Sequence, residues 1–94
     1  MTASVFFRSE VNDFATWKKV YDESAQEIKE TGVITNSVHR DPDDPNTIII
    51  CHQYADLNTA QGFMTAVTTG GLQPAFKKSG VKPETIQMWV GEAV

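Results

Sequence analysis

Apolar residues recur at two different periods along this chain. Phe14, Trp17, Tyr21, Ala25 or Ser24, and Ile28 fall within a stripe roughly 80–100° wide on a helix. Lys18, Lys19, Asp22, Glu23, Gln26, Glu27, Lys29 and Glu30 fill the other side. Lys18/Asp22 and Lys19/Glu23 sit four apart and can pair weakly. Asn12 or Asp13 offers an N-cap and Gly32 a stop, so the spacing predicts one helix from about Asp13 to Thr31. Leu57, Ala60, Phe63, Met64 and Val67 repeat the helical spacing behind a cap at Asp56. Gly62 weakens that helix, and the run Thr68 to Gly71 breaks it. A short helix, Pro74 to Ser79, starts with proline in its first turn and ends at Gly80.

Elsewhere the pattern is that of strands. Ala3 to Arg8, VITNSVHR from Val33, TIIICHQY ending at Tyr54, and ETIQMWVG from Glu84 to Gly91 are rich in β-branched and aromatic residues. The middle two flank the run Asp41 to Asn46, DPDDPN, which predicts a hairpin with a six-residue connection. The order is strand, helix, strand, strand, helix, strand. This predicts an α+β, ferredoxin-like βαββαβ domain spanning 1–94: a four-stranded antiparallel sheet with both helices on one face. Phe6-Phe7, Ile48-Ile49-Ile50 and Met88-Trp89-Val90 put apolar groups on both faces of that sheet. The face without helices then needs a cover, and a second copy related by a two-fold axis is the simplest one. The expected partner is the same chain, in a homodimer joined through the sheet face.

Composition narrows the function classes. A formal charge of −4, with 21% charged residues and scattered lysines and arginines, argues against a nucleic-acid surface. No stretch approaches the roughly 20 apolar residues of a membrane span. The start of the chain reads as no signal peptide, and the single Cys51 implies no internal disulfide. The expected location is cytoplasmic. Cys51, inside an apolar strand, reads as packing. Asp41, Asp43 and Asp44 lack the glycine and glutamate of a calcium loop and read as turn chemistry, so no metal is expected. No Gly-x-Ser-x-Gly or phosphate-binding glycine pattern occurs. Trp17 and Tyr21, on the helix stripe, read as core.

The hairpin suggests a site. If Arg40 and Thr47 close the loop, His39 faces Ile48, Ser37 faces Ile50 and Thr35 faces His52. Thr35, Ser37, His39, Ile48, Ile50, His52 and Tyr54 would then share the dimer-side face, joined by Phe6, Gln87 and Trp89. Ile34, Val38 and Ile49 would turn to the helices. An apolar surface with a few polar groups is the usual make-up of a small-molecule pocket. His52 is the candidate general base, since imidazole titrates near neutrality; a buried strand histidine satisfied by a hydroxyl is the structural alternative. Phe6, Thr35, Ser37, His39, Ile50, Tyr54 and Trp89 are the candidate substrate contacts.

Val11 to Lys18 opening the first helix, Gly32 before the second strand, Val38 to Asn46 at the hairpin and Phe76 to Val81 closing the last helix carry a resemblance. Over nearly its whole length the chain resembles the dimeric α+β barrel superfamily, in particular antibiotic-biosynthesis-monooxygenase-like and cyclase-like small proteins. The resemblance implies a cofactor-independent monooxygenase, cyclase or isomerase acting on a hydrophobic or aromatic substrate in a pocket between helices and sheets. Its alternative is a non-catalytic homodimeric ligand-binding or assembly protein. The haem-degrading branch would call for a histidine on the second helix, and Asp56 to Val67 has none.

Overall fold

A computed structural model describes residues 1–94. The elements run β1 (Ala3–Glu10), α1 (Phe14–Glu23), α2 (Ala25–Glu30), β2 (Val33–Asp41), β3 (Asp44–Tyr54), α3 (Leu57–Thr68), α4 (Gln73–Ser79) and β4 (Gln87–Glu92). The strands form one antiparallel sheet in the order β2-β3-β1-β4. This is the ferredoxin-like βαββαβ arrangement, with each helical segment divided in two.

Local chemistry sets most boundaries. Asp13 and Asp56 cap α1 and α3, their carboxylates accepting from the backbone N–H of Thr16 at 2.9 Å and Thr59 at 2.8 Å. Those bonds hold both carboxyls below the usual carboxylate range. Gly80 ends α4 at φ +80°, where a side chain would be strained and a Cβ would lie 3.2 Å from Asn12. The expected single helix from Asp13 to Thr31 is instead two. Ser24 turns its hydroxyl back onto the Val20 carbonyl at 2.8 Å, and this competition with the helical ladder divides α1 from α2.

The hairpin differs from expectation in two respects. Its connection is two residues, Pro42-Asp43, because Asp41 pairs with Asp44 and each carboxylate accepts a backbone N–H two residues on. Its register is one residue away from the one that pairs Arg40 with Thr47. Arg40 faces Ile48, His39 faces Ile49, Ser37 faces Cys51 and Thr35 faces Gln53, with an irregularity at Ile34. A slip of one residue exchanges the faces. Thr35, Ser37 and His39 therefore lie on the open face with Ile49, Cys51 and Gln53. Ile48, Ile50, His52 and Tyr54 pack under the helices and are buried.

Burial explains why this register wins. Ile48 and Ile50 join Phe7, Val11, Trp17 and Val81 in the main core cluster. Tyr54 joins Ala3, Val5 and Ala60 in a second. With β3 held by its own pairing to β1, the other register would put Ser37 and His39 under the helices in place of Val38, which packs against the main cluster. The open face keeps Phe6 43% and Trp89 53% exposed, cross-strand neighbours on β1 and β4.

Candidate functional site

A cavity of about 470 Å³ lies between the sheet and the helices. Val5, Phe7, Ile50 and His52 form its floor; Trp17 and Tyr21 on α1, Ile28 on α2 and Phe76 on α4 wall it. Glu27 and Lys78, both exposed, are its only charged lining residues. A second, shallower groove of about 680 Å³ beside α3, α4 and β4 has no titratable side chain in its lining.

His52 is 5% exposed and sits between two phenols. Its Nε2 is 2.9 Å from the Tyr21 hydroxyl and its Nδ1 is 3.4 Å from the Tyr54 hydroxyl. The Phe63 ring packs 5.2 Å away, centroid to centroid. Outward, the Asn36 amide donates to the Tyr21 oxygen at 2.8 Å. On the other side, the Tyr54 hydroxyl is 3.4 Å from Oγ1 of exposed Thr31, which donates to the Ile28 carbonyl at 2.6 Å. Burial pushes the His52 pKa down to about 4, so the ring is neutral at pH 7. Burial likewise raises both phenols.

The candidates read from the sequence divide between two places. His52 and Ile50 line the cavity, and Tyr54 supports His52 from behind it, fully buried. Phe6, Thr35, Ser37, His39 and Trp89 lie on the open face, none of them in the cavity lining. His39 and His52 face opposite sides of the sheet and share no site within one chain. The residue missed was Tyr21. It keeps helical spacing with Trp17 and reads as core, and no local signal separates it, because the contact that gives its hydroxyl a role is with His52, 31 residues away.

No family model matches this chain, and no curated protein matches it. Solved structures do. SnoaB from Streptomyces nogalater, a cofactor-independent oxygenase, superposes with TM-score 0.72 at 16% identity over 99% of this chain and 93% of its own. A provisionally assigned antibiotic biosynthesis monooxygenase from Bordetella bronchiseptica gives TM-score 0.76 at 11% identity, over 99% and 97%. A dimeric ferredoxin-like protein from an uncultured marine organism gives 0.55 at 14%, over 96% and 91%. Fold and comparisons together define a ferredoxin-like α+β domain, similar in fold to proteins described as antibiotic biosynthesis monooxygenases. At these identities the likeness is one of fold.

Proposed function

We propose that this protein is a small-molecule enzyme of the cofactor-independent monooxygenase, cyclase or isomerase type, taking a hydrophobic, electron-rich phenolic substrate into the cavity between sheet and helices. The observation that carries this reading is a neutral, buried imidazole hydrogen-bonded to a phenol that itself lines an apolar cavity. Tyr21 takes the substrate's acidic proton on its oxygen while its own proton passes to His52 Nε2. The negative charge left on the substrate offsets the burial penalty on the imidazolium. The substrate carbanion then bonds molecular oxygen, and loss of water from the resulting hydroperoxide leaves a carbonyl where a CH₂ stood. The cavity contributes orientation and exclusion of water.

Oxygen consumption with a panel of hydroxylated polycyclic aromatics that carry an activated ring CH₂ tests the reading. His52→Ala, shown folded by circular dichroism, should lose about 100-fold or more in rate. A folded variant that consumes oxygen at the parent rate refutes a role for His52. A second reading, a ligand-binding dimer without turnover, is favoured by the same burial, since an imidazole held near pKa 4 is a weak base. Ligand binding with no turnover by the parent protein would select it.

We propose, further, that the open face is where two copies meet. Phe6 and Trp89 are exposed there beside half-buried Ile49 and Cys51, and an apolar sheet face without helices calls for a cover.

A further inference from the structure

The hydrogen bonds around His52 form a single file whose direction is fixed from its Thr31 end. The Ile28 carbonyl can only accept, so the Thr31 hydroxyl spends its proton there. Thr31 can then only accept from Tyr54, and the Tyr54 hydroxyl is spent in turn. Tyr54 must therefore accept from His52, which places the imidazole proton on Nδ1. Nε2 of the neutral ring is left bare and accepts from Tyr21. With the Tyr21 proton used, its oxygen can only accept at the outer end of the file, and Asn36 presents an N–H there.

The file has five links, and Asn36, Tyr21, His52, Tyr54 and Thr31 each fill one with a single proton. We infer that Asn36 is a positioning residue: by supplying the fifth proton from the edge strand, it holds His52 as the neutral Nδ1–H tautomer with Nε2 available as the acceptor. Replacing that amide by a carboxylate leaves four protons for five links. The deficit closes when His52 takes a second proton and donates from both nitrogens, while Tyr21 reverses to donate outward.

The groups facing His52 from each packed element admit no competing cause. Tyr21 faces it from α1, Tyr54 from its own strand and Phe63 from α3. Val5 pairs with it on β1 and Asn36 on β2. Glu27 on α2 and Lys78 on α4 line the same cavity, and neither hydrogen-bonds to the ring. The inference concerns the histidine of the proposed site and deepens that reading. It needs no turnover, so a protein that consumes no oxygen still has a tautomer to read, and a wrong tautomer leaves the oxygen experiment undecided.

The experiment is long-range ¹H–¹⁵N correlation on histidine-labelled protein from pH 8 to pH 4, with His39→Gln assigning the two rings. The parent should show His52 protonated on Nδ1 and bare on Nε2, neutral down to about pH 5. In Asn36→Asp its titration midpoint should rise by about one pH unit or more, with both nitrogens protonated below it. Asn36 is exposed, so the substitution itself buries no charge. A parent His52 carrying its proton on Nε2 overturns the inference, and so does a folded Asn36→Asp with an unchanged midpoint. If that variant fails to fold, the parent tautomer alone decides: Nδ1–H sustains the inference and Nε2–H ends it.

Discussion

The rings of Trp17 and Tyr21 stack, with centroids 4.9 Å apart and planes 28° from parallel. Trp17 is 3% exposed and anchored in the main core cluster, so it fixes the plane from which the Tyr21 hydroxyl reaches His52. Tyr21→Phe should keep the stack and lose only the hydroxyl. His52 Nε2 then loses its donor inside the cavity, a loss of about 1–3 kcal/mol. Urea denaturation at pH 7 should show that loss with an unchanged slope, and turnover should fall about tenfold or more. A variant as stable and as active as the parent would sever Tyr21 from the site.

His52 also makes stability depend on pH in a predictable window. Its folded pKa, about 4, lies below the unfolded value of 6.5. Above 6.5 both states are neutral there and the residue adds no slope. Between 6.5 and 4 the unfolded chain binds a proton that the folded one does not, so stability falls as pH falls. The loss is at most about 3 kcal/mol and is complete below pH 4. The lowered carboxylates Asp13, Asp44 and Asp56 start from 3.8 and lose their contribution at lower pH. Urea midpoints from pH 7 to pH 4 should therefore decline in the parent and stay nearly flat in His52→Gln.

Ser9 offers a gain. It is 1% exposed, and its Oγ is a buried polar side-chain atom without a hydrogen-bond partner. Ser9→Ala removes the unpaired hydroxyl at little loss of volume. Thermal unfolding should show stabilisation of about 1 kcal/mol; a destabilised variant would mean the hydroxyl is satisfied in solution.

The fold was legible where its causes are local. Asp13, Asp56 and Gly80 announce their caps from sequence alone, and the periods of 3.6 and 2 separate helix from strand. The hairpin register was not, because Ile48-Ile49-Ile50 offers an apolar side chain to either face and no neighbour in sequence breaks the tie. The tie is broken at a distance, by the core cluster under α1 and α4, and at Asp41 and Asp44, whose carboxylates tighten the turn to two residues. His52 could be singled out by residue type. Tyr21 could not, since its hydroxyl acquires a role only when β3 arrives beneath α1.

The exposed pair Phe6 and Trp89 makes association measurable. Joined through this face, the protein should sediment as a dimer of 10.4 kDa chains at micromolar concentration, with Trp89 emission shifted to the blue relative to a dilute sample. Phe6→Asp with Trp89→Asp should give a folded monomer. Both residues lie away from the cavity, so the monomer should keep the His52 tautomer of the parent. A parent protein that sediments as a monomer would leave the open face to another partner.

The cavity's hydroxyls should also choose among ligands. Ser24 donates to Val20 at 2.8 Å, Ser79 to Ala75 at 2.9 Å and Thr31 to Ile28 at 2.6 Å. Tyr21 and His52 spend their protons along the file. At the His52 end, then, these groups offer a ligand lone pairs rather than protons. A ligand hydroxyl is welcome there, whereas an ether oxygen in its place meets lone pair against lone pair. With 2-naphthol and 2-methoxynaphthalene as probes, and Trp17 quenching as the readout in the Trp89→Phe background, the naphthol should bind roughly fivefold tighter, the worth of about one neutral hydrogen bond. In Asn36→Asp, assayed below its raised midpoint, the Tyr21 proton turns outward and the imidazole gains a second one. If the file sets the preference, that variant should narrow the gap between the two probes. Equal affinity of the parent for both would show that the ligand's polar end lies elsewhere, towards Glu27 and Lys78 at the mouth.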